Sequence, residues 1–408
     1  MDRFAAIRAA EKGNVAIIFA LSMPLIVGAG GLGVETSFDY LQQVHLQGAA
    51  DAAAYAAALE NRDGSSIAVI TGAATDAATN NGWAATTGTL VVHNPPASGA
   101  NTAPTAVEVL LSQTQPRFFS AYFSATPLVA RARAVAVYQT AANACILALN
   151  KAASGAVQVQ GSASLNLTNC DVMANSLADD AVNVWGSANL TADCIASAGG
   201  VSQKGGITLT GCKSVVTQAP RARDPFAGLA VPSPGTKRNI PGGNGKSTVN
   251  LSPGSYANGM DLSGKVALAP GTYYVSGGNV KVNAGADVSG SGVTIYLAAG
   301  SQVSMNGNAT VSLTAPTSGI YSGILFFGDP AATSGSNVFN GNASSNLTGD
   351  IYFPTQSVTY QGNFSGSGGC TQIVADTVQW TGNATVSVNC AAYGMSPIPA
   401  RQAVKLVE

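Results

Sequence analysis

The sequence predicts an N-terminal transmembrane helix with a stalk helix, a small α+β domain, and a C-terminal all-β parallel β-helix (solenoid). Three observations predict it. Residues 13–34 carry no charge. Helix-forming composition continues past that run. From about residue 145 onward a short pattern built on Gly-Asn or Gly-Ser recurs.

The apolar run reads GNVAIIFALSMPLIVGAGGLGV. About 20 such residues cross a bilayer core as a helix, and the kink expected at Pro24 is tolerated there. Arg3, Arg8 and Lys12 precede the run, and Glu35 and Asp39 follow it. The positive-inside rule places the N-terminus in the cytoplasm and the rest outside. The competing reading is a cleavable signal peptide with Val27-Gly28-Ala29 at its end. The length of the run, and the helix that continues from it, favour a retained anchor.

Residues 36–59 are rich in Ala, Leu and Gln, which are good helix formers. Phe38, Leu41, His45, Ala52, Tyr55 and Leu59 are expected to share one face at three-to-four spacing. Asn61-Arg62-Asp63-Gly64 should end this helix, with Gly64 as a left-handed cap. A second helix is expected over 65–83. Apolar runs at 89–92, 106–111 and 128–138 read as strands, the first two separated by the turn cluster Asn94-Pro95-Pro96-Ala97-Ser98-Gly99.

The repeat is seen in VQGSASLNL (159–167), VWGSANLTA (184–192), MNGNATVSL (305–313), FNGNASSNL (339–347) and WTGNATVSV (380–388). Gly and Asn both tolerate the left-handed conformation of a sharp corner, and the alternation that follows each corner is one short strand per coil. Gly161, Gly186 and Gly211 are evenly spaced, as are Gly341, Gly362 and Gly382 very nearly, with a period suited to a three-strand coil. The Asn-x-Ser/Thr triplets that fall in this pattern read as stacked ladders rather than glycosylation sites. Residues 220–247 break the pattern with Pro, Gly and basic residues. This segment reads as a lateral loop. Its Arg221, Arg223, Lys237, Arg238 and Lys246 are the only dense positive cluster: a solvated loop, or a docking site for an acidic partner or polysaccharide.

The expected organisation is therefore a cytoplasmic stub (1–12), a transmembrane helix (13–34), stalk and α+β domain (35–140), first coils (141–219), the loop (220–247), the main solenoid (248–396) and a C-terminal tail (397–408).

Six cysteines, Cys145, Cys170, Cys194, Cys212, Cys370 and Cys390, all lie beyond the apolar run, on the oxidising side. None forms a CxxC, which argues against zinc. Cys370 and Cys390 are one coil apart and are the first candidate pair. Cys194–Cys212 follows, then Cys145–Cys170, the last as a clip on the first coil.

Composition narrows the function. The net charge is −1 and only 10% of residues are charged, so no nucleic-acid partner is expected. Hydrophobic residues make up 46% of the 408, too many for a disordered chain. His45 and His93 are the only histidines, and both precede the solenoid. Parallel β-helices often cleave polysaccharides, which requires clustered carboxylates. The one doublet is Asp179-Asp180. Asp261, Asp287, Asp329, Asp350 and Asp376 stand singly and read as turn residues. No catalytic residue and no cofactor is expected.

The N-terminal region resembles Flp pilus-assembly proteins of the TadE/TadG-like kind. The residues that carry the resemblance are 13–21 (GNVAIIFAL), Pro24, 31–34 (GLGV) and 46–54 (LQGAADAAA). Glu35 stands where the family usually has Asp, and Gly48 where it usually has Ala. The likeness is specific over residues 8–60 and loose to about 140. Pilin-like members carry Glu five positions after the processing-site Gly. Here that position is Ile18, so a fixed anchor of the TadG-like kind fits better than a processed pilin. The adhesion-type Asp-x-Ser-x-Ser motif of some TadG-like proteins is missing. The resemblance implies a non-enzymatic, single-pass inner-membrane component of Tad pilus assembly, partnered by other pilus-assembly proteins such as TadE-like and platform components. The alternatives are a β-helix adhesin or glycan-binding envelope protein, and a carbohydrate-active β-helix enzyme.

Overall fold

The structure, a computed structural model, describes residues 12–241, 247–342, 344–364, 370–387 and 393–408. It divides into two compact units, Met1–Gln139 with Val404–Glu408, and Thr140–Ala403.

The first unit is built on one helix, α1 (Lys12–Arg62). Its first part is apolar on every side and largely exposed, from Ile17 to Val34, as an anchor helix must be. Its second part packs against α2 (Ile67–Asn80) and a three-stranded sheet. Gly64 adopts a left-handed φ of 75° and closes α1. The strands are β1 (Gly88–His93), β2 (Ala106–Gln115) and β3 (Leu128–Ala148). They form an antiparallel meander, with Leu90 opposite Leu111 and Ala106 opposite Val137.

The buried face of α1 is not the one its large side chains suggest. Leu46, Ala49, Ala50, Ala53, Ala54, Ala57 and Ala58 are buried, whereas Leu41 and Tyr55 are exposed. Alanine contributes little apolar area, but it lets a neighbouring helix or sheet approach closely. The close approach decides the face here.

The second unit is a parallel β-solenoid. One of its faces stacks nine parallel rungs: 254–256, 271–275, 293–297, 324–328, 350–353, 371–375, 146–148, 171–174 and 195–197. At ~4.8 Å per rung this spans ~38 Å. Inward residues of successive rungs lie opposite one another, as in Ile295, Phe326, Ile351, Ile373, Ile146, Val172 and Ile195. They form the continuous core. Phe339, Tyr360 and Trp380 stack through the same interior at 5.5 and 5.8 Å.

The stacking order differs from the chain order. The chain enters at the seventh rung and winds to the ninth, where Ala196 bridges Val216. It then returns to the opposite end, where Lys237 bridges Ser255. From there rungs one to six wind back, until Ile373 pairs with Ile146 and Val378 with Val157. The two segments expected as separate runs of coils thus form one stack with an internal seam, and hydrogen bonding at the seam is as regular as elsewhere.

Two sequence expectations are corrected by this. The segment expected as a lateral loop over 220–247 is not one in its described residues 220–241, because they carry the chain from one end of the stack toward the other. Its contacts follow that path: Ala222 at Asn175, Phe226 at Tyr352, Ala230 at Tyr321 and Lys237 at Ser255. It is a strap over an outward apolar ladder of Tyr296, Phe327, Tyr352, Val374, Leu147 and Met173. Likewise, residues 397–408 are not a loose tail. Ile398–Leu406 is a strand, with Ile398 and Ala400 buried in the solenoid's outer cluster.

Candidate functional surfaces and their supports

In the first unit, polar contacts fix the parts that adjoin the apolar helix. Glu35 is the first charged residue after the uncharged run. Its Oε1 accepts from the Phe118 backbone N–H at 3.0 Å and the Ser120 hydroxyl at 2.6 Å, and its Oε2 accepts from the Ser120 backbone N–H at 2.6 Å. The Ser120 hydroxyl is the main influence holding this carboxyl below its ordinary range, against the opposing effect of desolvation.

A second cluster ties down the chain's last residue. Glu108, 1% exposed, accepts from Arg133 Nε at 2.6 Å and lies 2.7 Å from His93 Nδ1. Arg133 also pairs with the Glu408 side chain, which accepts from Asn101 at 2.9 Å. Burial pushes the Glu108 carboxyl up. The hydrogen bonds from His93, Arg133 and the Ala97 N–H outweigh it and bring the group below its ordinary value.

In the solenoid, the structure disperses the described basic residues of the strap, Arg221, Arg223, Lys237 and Arg238. Arg221 Nε donates to the Asn175 carbonyl at 3.1 Å, near the eighth rung. Arg238 donates to the Pro253 carbonyl at 3.2 Å, at the first. Seven rungs separate those positions, or ~34 Å. Arg223 follows Arg221, Lys237 precedes Arg238, and Lys246 lies outside the described residues. A single positive face is therefore not assembled from the four that are described.

Cys145 and Cys170 are bonded, with Cα atoms 5.6 Å apart, as are Cys194 and Cys212, at 5.2 Å. The first bond joins the seventh and eighth rungs, in the interior of the stack rather than at an end. The reason is the seam: the coil that comes first in the chain is not terminal in space. Cys194–Cys212 lies nearer an end. Cys370 is disulfide-bonded, and Cys390 lies outside the described residues, so the pairing proposed between them is not described.

The acidic residues do not converge. Asp180 accepts from Ser154 at 2.6 Å, and Asp376 accepts twice from Asn150, at 3.0 and 3.1 Å. Asp329 accepts from the backbone N–H groups of Ala331 and Ala299. Asp261 accepts from Asn283 one coil above. These are corner and ladder roles. Asp350 is different: the turn role expected for it is corrected, because it lies within the strand Asn346–Phe364, paired on both sides. It is 1% exposed, and its Oδ2 has no hydrogen-bond partner. Its Oδ1 faces the Gln372 amide at 2.9 Å, with that amide's nitrogen turned toward it. Burial drives its pKa well above the ordinary carboxylate value. Among the described residues no group of three or more His, Cys, Asp or Glu side chains is placed to hold a metal ion.

Residues 13–60 match the family of putative Flp pilus-assembly TadE/G-like proteins. The match covers the apolar run and the alanine-rich half of α1, and stops before the solenoid. No curated protein and no solved structure matches the chain.

Proposed function

We propose that this chain is a non-enzymatic, membrane-anchored structural component of Tad pilus assembly, which holds a β-solenoid outside the inner membrane. The match over residues 13–60 to pilus-assembly proteins carries the reading. The fold is consistent with it. The apolar part of α1 is exposed as a bilayer-spanning helix would be, and Asp180 and Asp329 are engaged by neighbouring groups in the coils.

In this reading the charge asymmetry around residues 13–34 sets the N-terminus in the cytoplasm. The α+β unit contacts related TadE-like and platform proteins, and the solenoid is a rigid spacer or contact surface. Rigidity follows from its construction. Each coil satisfies its neighbours' backbone hydrogen bonds, the strap covers the outer apolar ladder, and disulfides join adjacent coils.

The test is piliation. A strain lacking the gene, or carrying a chain without residues 140–403, should assemble few or altered pili by electron microscopy, and the full chain should restore them. Normal pili in both strains would refute the proposal.

A further inference from the structure

The loop between β2 and β3, residues 116–127, carries the sequence PRFFSAYFSATP. Its aromatic side chains are not packed away. Tyr122 is 91% exposed and Phe123 78%, with their rings edge to face at 5.4 Å, and Phe118 and Phe119 are about half exposed. A water-facing loop gains nothing from four aromatic rings in six residues.

The loop is held at one fixed height on α1. Glu35 accepts three hydrogen bonds from Phe118 and Ser120. The Phe118 ring meets Phe38 edge-on at 5.3 Å. The Phe119 ring lies against Gly31 so closely that a Cβ there would come within 2.5 Å of it. Arg117 braces the loop from within, donating to the Thr126 carbonyl at 2.6 Å and the Ser120 hydroxyl at 2.9 Å.

That height is where the uncharged run ends. Residues 13–34 span ~33 Å as a helix, the thickness of a bilayer's hydrocarbon core. Gly31 lies about one turn inside that run, and Glu35 is the first charge beyond it. Phe119 therefore sits at the level where hydrocarbon gives way to headgroups. This is the zone that amphipathic aromatic rings prefer.

We infer that residues 118–123 form a second membrane contact, inserting Phe119, Tyr122 and Phe123 into the interfacial layer of the leaflet from which α1 emerges. The inference rests on the reading of residues 13–34 as a bilayer-spanning anchor. A lone helix fixes depth and leaves rotation and tilt free. A helix with a side contact at the interface fixes both, so the α+β unit is presented to its partners in one orientation. Glu35 is the hinge pin of this arrangement: it couples the loop to the helix at the membrane surface.

The test uses the full chain with Phe123→Trp, a position 78% exposed whose ring contact is with the exposed loop neighbour Tyr122. The chain is reconstituted into phosphatidylethanolamine–phosphatidylglycerol vesicles with and without lipids brominated high on the acyl chain. The added emission is read as the difference from the parent chain, which already holds Trp83, Trp185 and Trp380. We expect the chain to float with vesicles and resist alkaline carbonate. We expect the added emission to shift to shorter wavelength, to be quenched by brominated lipid, and to be protected from aqueous acrylamide. A chain that floats and resists carbonate, yet shows no quenching by brominated lipid, would overturn the inference and leave the anchor intact. In that case acrylamide quenching means the loop stands in water, and protection from acrylamide means a protein surface covers it. A chain that fails to float would overturn the anchor reading, and the inference with it.

Discussion

Replacing Trp380 probes the seam where the two solenoid segments meet. Its side chain is fully buried, stacked on Tyr360 at 5.8 Å, and its backbone pairs with Val159 across the seam. Trp380→Ala removes a large buried ring and leaves a cavity. Such changes cost about 3–5 kcal/mol. Trp380→Phe is a sharper test. The indole Nε1–H has no hydrogen-bond partner, and an unsatisfied buried donor costs about 1–3 kcal/mol. Phenylalanine keeps one stacked ring and removes the orphan donor, so part of the lost volume is offset. Its net cost should stay within about 1–2 kcal/mol by the same balance of terms. Because each coil contacts only its neighbours, damage at the seam should also uncouple the two segments. Guanidinium unfolding of the detergent-solubilised chain, followed by far-UV circular dichroism, gives the readout. Trp380→Ala should lower the midpoint and split one transition into two. An unchanged midpoint, or a Phe variant as damaged as the Ala variant, would refute the reasoning.

Other expectations concern the strap, the buried acid and the terminal clasp. Asn175 is buried, its side chain donating to the Ala222 carbonyl and accepting from the Ala222 N–H, both at 2.8 Å. Asn175→Ala leaves both backbone groups unpaired at about 1–3 kcal/mol each. Hydrogen exchange across residues 219–230 should accelerate while the rung strands keep their protection; unchanged strap exchange counts against the assignment. Asp350 has a raised folded pKa, so its contribution to stability is fully present below the unfolded carboxylate value and is lost as pH rises toward the folded one. Asp350→Asn should therefore stabilise the chain at neutral pH and flatten that dependence, read by thermal melts across the acid-to-neutral range. A destabilised Asn variant at pH 7 would contradict this. Glu108 has a depressed folded pKa, so the sign reverses: its contribution is present above the unfolded value of about 4.3 and is lost as pH falls through the folded one. Protection of the Val404–Glu408 amides, taken relative to the intrinsic exchange rate at each pH, should fall on acidification in the parent chain and be low at every pH in Glu108→Gln. A parent chain whose protection factors there do not change with pH would count against the clasp.

Much of the architecture is legible in local pattern, and the misreadings have physical causes. The uncharged run and the Gly-Asn corners specify an anchor helix and a coil period directly. Gly341 and Gly362 do stack in register, and Gly186 lies over Gly161. Gly211 does not continue that column. Leu190 pairs with Ile207, so the coil there is shorter than the regular spacing implies. Coil order is illegible because identical corners fit any neighbour, and chain adjacency is only a default. One signal was available. Runs such as VTIYL, ILFFG and CILA are apolar on both faces, which marks a sheet covered on its outer side. The strap is what covers it. The helix face was misread because aromatic and leucine positions outweigh alanines on any hydropathy count, while packing favours the alanines. The structural roles of Glu35, Glu108 and Asp350 were illegible, since their partners are distant in sequence.

A reporter placed just beyond residue 64 reads directly on which side of the membrane the chain continues. Alkaline phosphatase, which is active only outside the cytoplasm, would be fused after Gly64, the left-handed cap of α1, and the cells fractionated. An active enzyme that pellets with inner membrane and resists carbonate is the expected result. An inactive fusion, or an active one released in the soluble fraction, would contradict a helix lodged in the bilayer with its solenoid held outside.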